Sequence, residues 1–484
     1  MSISGALSNA LSGMTASSRT AAVISSNVAN ALTDGYGRRE VEVAPRTIGS
    51  SGGVTVTGVV RTANPQLVKD LRNADSDLNY SDTIATFRQR MEDILGTPED
   101  GHSLSAHVVK LENALITAAS RPDLPERLSA VLTASQRLAG TFNSTADEIQ
   151  NLREEADAEI AAAVDRLNEL TRQVEDLNAA ISRARFTGGD TAGLIDHRQA
   201  VIDDIARYVP VREIEREGNM VALLTPGGSF LVDGRAAMLD FTRTNVITPY
   251  QTIQGGQLSG LALNGNPVGT GTGSDTLDGG RLGALFAIRD DLAVEAQARL
   301  DTVARDMIER FQQPGLDATR GATDPGLFTD GGALFAPADE VGISARIAVN
   351  AVVDPDQGGA TWHLRDGLGA ATAGPPGDSS LLTDLNAALS ERRVPPSGSF
   401  GTAGISASGL ASSLLSLAGT ERQLAEQSMA FDSTRHSELK ERALAQGVNT
   451  DDEMQRLMLV EQAYAANARV VQTMDDLLDI LMRI

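Results

Sequence analysis

Histidines and paired carboxylates are where hydrolytic or metal chemistry would have to reside in this chain, because it has no cysteine and so no thiolate ligand, disulfide or cysteine nucleophile. The five histidines fall at 102, 107, 197, 363 and 436. Only His102 and His107 stand close together. Positions five apart on one helix diverge by roughly 140°, so a shared metal is not expected and the histidines read as surface residues. Adjacent acids recur as Asp203-Asp204, Asp290-Asp291, Asp451-Asp452 and Asp475-Asp476. Acid–base work on a glycosidic bond needs two carboxylates converging on one substrate, whereas neighbours on a helix point about 100° apart. These pairs read as solvated faces or charges at helix starts. The tract Gly271-Thr272-Gly273-Ser274-Asp275-Thr276-Leu277 fits one unit of a calcium-binding nonapeptide repeat, but one unit cannot stack into that fold. Without Gly-Lys-Ser/Thr it is no phosphate loop either, so a flexible turn is expected. No serine stands in a nucleophile elbow. The expectation is therefore no enzyme, no catalytic or metal site and no cofactor.

With chemistry set aside, the two chain ends carry the strongest pattern. Ile3, Leu7, Ala10, Met14, Ser17, Ala21, Ile24, Val28 and Ala31 step by four and three without a break, the spacing of a coiled-coil stripe. Leu457, Val460, Tyr464, Asn467, Val471, Met474, Leu478 and Leu481 do the same at the other end. Termini usually fray, so apolar seams at both extremes predict that the ends fold against each other or against neighbouring subunits. The expected interface residues are Ile3, Leu7, Met14, Ala21, Ile24 and Val28 in the first seam, and all eight of the second. Arg19 is the single charge in residues 1–33, which are rich in Ser, Thr, Asn and Gly. Such a helix is marginal alone, so the ends are expected to be disordered in the free chain and to gain helix on a partner seam. Asn467, the polar member of its stripe, is expected either to set register, or to border a wet channel or bond a backbone group.

At 484 residues and 41% hydrophobic content the chain is long enough for two to four domains with proper cores. A net charge of −23 argues against nucleic acid, since phosphate binding needs a basic surface. Residues 1–18 lack charge but are broken by Ser, Asn, Thr and Gly. They match neither a membrane span nor a cleaved signal peptide with its basic start.

The chain then alternates in character. Val41-Glu42-Val43 and Val54-Thr55-Val56-Thr57 are β-like, following the turn signal at Asp34-Gly35. Residues 65–207 are helical in pattern, with a heptad run through Ala163, Leu167, Leu170, Val174, Leu177 and Ile181 that reads as an intrachain bundle. Period-two segments fill 211–280, helix returns over 281–313, and 314–380 is irregular with strand candidates at Ile343 to Val353 and near Trp362. The predicted fold class is α+β and multidomain: a terminal coiled coil and a long-helix bundle, with an inserted small β-rich domain. The expected boundaries are 1–62 with 445–484 for the terminal core, and 63–207 with 281–330 and 381–444 for the helical domain. The β-rich insertion takes 208–280, and an irregular outer segment takes 331–380.

The segment Ser26-Asn27-Val28-Ala29-Asn30-Ala31-Leu32-Thr33-Asp34-Gly35-Tyr36 resembles the amino-terminal signature of bacterial flagellar axial proteins, the rod, hook and hook-associated components. Glu461 to Leu478 is similar to that family's carboxyl-terminal signature. Inside, Gly193-Leu194-Ile195-Asp196-His197-Arg198-Gln199, Gly280-Arg281-Leu282-Gly283-Ala284-Leu285 and Gly447 to Glu453 resemble hook-associated members. The resemblance marks Asn27, Asn30, Thr33, Gly35 and Tyr36 as family-motif residues. It implies a structural adaptor between hook and filament, exported without a cleaved signal peptide and assembled outside the cell. Its implied partners are further copies of itself, the hook protein, the second junction protein and an export chaperone, with no nucleic acid and no membrane insertion. The competing readings are another axial subunit of hook or distal rod, and a secreted wall-degrading hydrolase.

Overall fold

The computed structural model describes residues 3–33, 36–46, 52–62, 64–97, 101–270 and 277–483. Helix α1 (Ile3–Ala29) leads into an antiparallel hairpin, β1 (Arg38–Pro45) and β2 (Val54–Thr62), with a bulge between Glu42 and Val43. Asn64 then caps α2 (Pro65–Leu95): its side chain accepts from the amides of Gln66 and Leu67, and proline takes the first helical position, where no amide is needed. Next come α3 (Leu104–Ser120), the 62-residue α4 (Pro125–Phe186) and α5 (Ala192–Tyr208). The strands β3 (Arg212–Arg216), β4 (Met220–Leu224), β5 (Phe230–Asp233) and β6 (Arg235–Ala236) form an antiparallel meander. A second small sheet holds β7 (Leu239–Asp240), β8 (Leu261–Leu263) and β9 (Asn266–Val268).

Helices α6 (Gly280–Ala287) and α7 (Ala293–Phe311) are joined through one π turn, Ile288–Leu292. The rest comprises β10 (Phe328–Asp330), α8 (Ile343–Arg346), β11 (Ile347–Val349), α9 (His363–Asp366), α10 (Ser380–Ser390), α11 (Ala407–Ala445) and α12 (Thr450–Arg483). The chain is thus an α+β protein dominated by long helices.

Helix α4, roughly 90 Å long at 1.5 Å per residue, is the spine. Its apolar positions from Leu128 to Ile181 recur at three and four and are buried under α3, α5, α6, α7, α8 and strands of both small sheets. The heptad run at 163–181 therefore finds its cover within the chain. Two arginines pin the inserted strands to this spine. Arg153 of α4 donates to the carbonyls of Thr248 (3.1 Å), Gln251 (2.9 Å) and Arg289 (2.9 Å), and burial pushes its guanidinium down to about 10. Arg289 bonds Asp157 at 2.7 Å between the rings of Phe241 and Phe286. Arg289 also forks onto Asp290 through Nε and Nη2, both at 2.8 Å, and a bidentate cation in an apolar clamp fixes geometry as well as charge.

Some expectations do not survive. The stretch Ile343 to Val353 is not one strand: Asp301 accepts from the amides of Gly342 (2.8 Å) and Ser344 (3.0 Å), and Gly342 takes φ 71°, which bends the chain into α8 and leaves only β11 extended. Around Trp362 the chain turns into α9 instead of extending, with the indole stacked on His363 at 3.7 Å. His107 is buried in α3, while His102 lies before that helix, so the argument from a shared helix does not apply to the pair; their rings are 6.5 Å apart. The tract at 271–276 lies outside the described residues.

Candidate assembly interface

Helices α1 and α12 pack against each other. The contact explains how α1, with its many weak helix formers, is helical at all: the missing partner is the other end of the same chain. The ends are thus ordered in the structure, contrary to the disorder expected of a free chain. The two helices run antiparallel. Gly13 abuts Asn467 and Asn27 bonds Glu453, so 14 residues forward along α1 match 14 residues back along α12, two heptads of constant register. At the upper crossing a Cβ on Gly13 would fall 2.8 Å from Asn467 Nδ2, closer than packed atoms approach, so glycine sets the spacing there. Asn467 donates its amide to the Ala463 carbonyl of its own helix at 3.0 Å. The backbone bond expected for this residue is present.

The predicted seam residues divide by burial. Ile24 is buried; Ile3, Leu7, Met14, Ala21, Val28, Leu457, Val460, Asn467, Val471 and Met474 are half-buried between the paired helices and the hairpin. Tyr464 and Leu478 stay exposed, and the side chain of Leu481 falls outside the description. Helix α1 has a second buried edge, Ala16, Val23 and Asn27, turned toward the hairpin. Helix α12 has a second apolar face that a single stripe does not capture. Met454, Met458, Leu459, Val470, Leu477 and Ile480 are all exposed, and Leu459 is 65% accessible. The signal was present in the sequence, since these residues make α12 apolar beyond one narrow seam.

Below the pair lies a polar cluster that sequence reading did not assemble. Asn27, fully buried, donates to the Arg39 carbonyl (2.8 Å) and accepts from the Arg39 amide (3.0 Å). A side-chain amide thereby imitates a strand neighbour for the first residues of β1; aspartate lacks the donor and leucine lacks both groups. The Tyr36 hydroxyl donates to the same Asn27 Oδ1 at 2.9 Å, and the Arg39 guanidinium lies 4.9 Å over the Tyr36 ring. Asn27 Nδ2 also donates to Glu453 Oε2 at 3.2 Å, and Arg38 Nε donates to Glu453 Oε1 at 2.8 Å. Glu453 is buried in the first turn of α12, whose start is capped by Asn449 accepting from the amides of Asp451 and Asp452. The acids at 451 and 452 are thus helix-start charges.

Two further carboxylates flank the cluster. Asp196 of α5 accepts from Arg39 Nη2 (2.6 Å), Arg61 Nε (2.9 Å) and the Gly37 amide (3.3 Å). Glu40 accepts from Arg456 at 2.8 Å, and this bond holds its carboxyl below the ordinary range against the opposing effect of desolvation. Of the family-motif residues, Asn27 and Tyr36 sit in the cluster. The Asn30 side chain bonds its own helix at Ser26 O, Thr33 is exposed, and Gly35 lies outside the described residues. Arg38, Arg39, Arg61, Asp196 and Glu453 were not singled out as site residues.

The arrangement can hold helices in register and present an apolar face; among the described residues no group of three His, Asp or Glu could hold a metal ion, and no helix is long and apolar enough to cross a membrane. Residues 88–328 match the flagellar hook-associated protein FlgK helical domain, residues 7–36 the flagella basal body rod protein, and residues 444–484 the flagellar basal body rod FlgEFG protein C-terminal domain. Flagellar hook-associated protein 1 of Escherichia coli is 23% identical over 557 residues, covering 100% of both chains. Its namesake in Bacillus subtilis is 24% identical over 98% of this chain and 96% of its own. The flagellar hook junction protein FlgK of Burkholderia pseudomallei aligns over 55% of this chain and 47% of that one, with 21% identity and a TM-score of 0.45.

Proposed function

We propose, from the premise that this chain belongs to the flagellar hook-associated protein 1 family, that it is a structural adaptor joining hook to filament. The observation that carries the reading is the combination of rod-type ends with a hook-associated helical body in one chain. The ends supply packing shared with the axial subunits below, and the body supplies a surface that rod subunits lack. A hook or distal-rod subunit would be expected to have a largely β interior, against which α2 to α5 stand. A wall-degrading hydrolase would need a carboxylate pair in a cleft; of the paired acids here, Asp203 is engaged by Arg72 and Asp290 by Arg289.

Within this reading the terminal unit spans 1–62 and 445–484, the helical domain 63–207, 281–330 and 381–444, and the β-rich domain 208–280 with an outer segment at 331–380. The seam residues hold α1 to α12. Tyr464 and Leu478, together with Met458, Leu459, Val470 and Ile480, face neighbouring axial subunits: further copies, the hook protein and the second junction protein. An export chaperone covers the same apolar surface before assembly, and the working location is the extracellular flagellum.

Deleting the gene tests the assignment. Cells with hooks but no attached filaments fit a junction subunit, whereas cells without hooks would reassign the chain to rod or hook. Hydrolysis of purified cell wall by the protein would move the reading to the enzyme class.

A further inference from the structure

The polar cluster lies at a mechanical junction. The chain enters the terminal unit's neighbour α2 from β2, which ends at Thr62, and it re-enters the terminal unit from α11 through residues 446–449. Two covalent links alone leave a body free to swing about the line that joins them. A third contact off that line removes the freedom. Asp196 supplies it, since its carboxylate belongs to α5 of the helical body while its three donors, Arg39, Arg61 and Gly37, belong to the hairpin side. Its side chain is only 13% exposed, so these charge-assisted bonds are partly shielded from water.

Arg39 is also the residue whose backbone pairs with the Asn27 amide, so α1, β1 and α5 are tied through one residue. Asn27 in turn reaches Glu453 of α12. Asn27 and Tyr36 lie in the rod-type amino-terminal match, Glu453 in the rod-type carboxyl-terminal match and Asp196 in the helical-domain match. The three matched segments therefore meet at this cluster.

We propose that Asp196 is a positioning residue that fixes the direction in which the α1–α12 pair leaves the helical body, and that this preset direction is what lets the subunit dock on an existing assembly. The second half rests on the assembly role proposed above. A partly buried ion cluster suits such a role better than that of a stability reserve, because its net energy is small after desolvation while its geometry is narrow.

The chain has no cysteine, so spin labels can be placed at Gln173→Cys on α4 and Gln472→Cys on α12, both exposed, in the full-length protein. The expected result is a narrow label-to-label distance distribution that broadens at least twofold in Asp196→Asn, with the melting curve of the body unchanged. Arg61→Gln, which leaves α5 untouched, should broaden it less, Asp196→Glu should keep it narrow, and Glu40→Gln, which breaks a pair within the terminal unit, should leave it alone. Docking on isolated hooks should weaken roughly tenfold in Asp196→Asn. An unchanged distribution in both Asp196→Asn and Arg61→Gln overturns the positioning role. A broadened distribution with undiminished docking overturns the claim that the direction matters for assembly. Failure of the unmutated protein to dock on hooks counts against the junction reading and leaves the distance result to decide Asp196 by itself.

Discussion

Replacing Asn27 by alanine removes four hydrogen bonds at one buried point: two to the backbone of Arg39, one from Tyr36 and one to Glu453. The groups do not suffer equally. The Tyr36 hydroxyl is half-exposed and can turn to water, and Glu453 keeps Arg38. The Arg39 amide and carbonyl at the start of β1 lose their partner together. An orphaned buried polar group costs about 1–3 kcal/mol, and the losses do not add fully, so about 3 kcal/mol is expected against docking of α1 and the hairpin on α12. That energy corresponds to a factor of roughly 150 in the opening equilibrium. Amide hydrogen exchange on the free protein should show it as faster exchange across 3–33, 36–62 and 450–483, with α4 unchanged. Asn30→Ala is the control, since the Asn30 side chain bonds Ser26 O one turn back and its loss should cost under about 0.5 kcal/mol. Acceleration below about tenfold for Asn27→Ala, or equal acceleration in α4, would falsify the view that this amide locks the terminal unit alone.

Three further outcomes follow from the same geometry. Ile24→Asp places a charge in a buried site and should loosen the terminal unit of the monomer by several kcal/mol, whereas Leu478→Asp, at a site 38% exposed, should leave monomer melting within about 1 kcal/mol and reduce hook docking; equal melting losses in both would show that exposure in the single chain does not separate pairing from assembly. Gly13→Ala should weaken α1–α12 packing, because its Cβ would fall 2.8 Å from Asn467 Nδ2, and chymotryptic cleavage within 450–483 should quicken; unchanged cleavage would refute the close crossing. His107 is held below the ordinary histidine value by burial, then by the charges of Lys110, His102 and Arg137. Below about pH 6.5 the unfolded chain takes up a proton that the folded one refuses, so stability is lost as pH falls from there to the lowered folded value. Urea midpoints at pH 7.5 and 5.5 should differ less in His107→Gln than in the parent, and an undiminished difference would assign the effect to other groups.

Residue spacing made the long helices and both terminal seams legible, because a three-and-four repeat is a local property that survives without knowledge of partners. The cluster at Asn27 was not legible for the opposite reason. Arg39, Arg61, Asp196 and Glu453 come from four separate stretches, and each alone looks like an ordinary surface charge; Asp196 and Glu453 entered only through resemblance. The strand expected near Trp362 failed because β-branched and aromatic content reports fit to a pleated surface, which the turn Gly358 to Ala360, hydrogen-bonded back to Val352 and Asp354, does not offer. The burial of His107 was legible only through the cap at Ser103, which starts α3 at Leu104, turns one ring inward and leaves the other ahead of the helix.

The clamp between Asn27 and Glu453 joins residues 426 apart in the chain. Closing a flexible loop of that size costs entropy that grows as (3/2)RT ln n, and a body already folded replaces most of the loop by tethers on the order of forty residues. The difference is about 2 kcal/mol in favour of closing last. The contact order of this one pairing therefore dictates a sequence of events: the helical body folds around its own spine, and only then can the two ends find each other. A chain cut before Thr450 should hold a complete body with α1 left unpaired, and the terminal unit is in kinetic terms a late, separable module that the last 35 residues switch on.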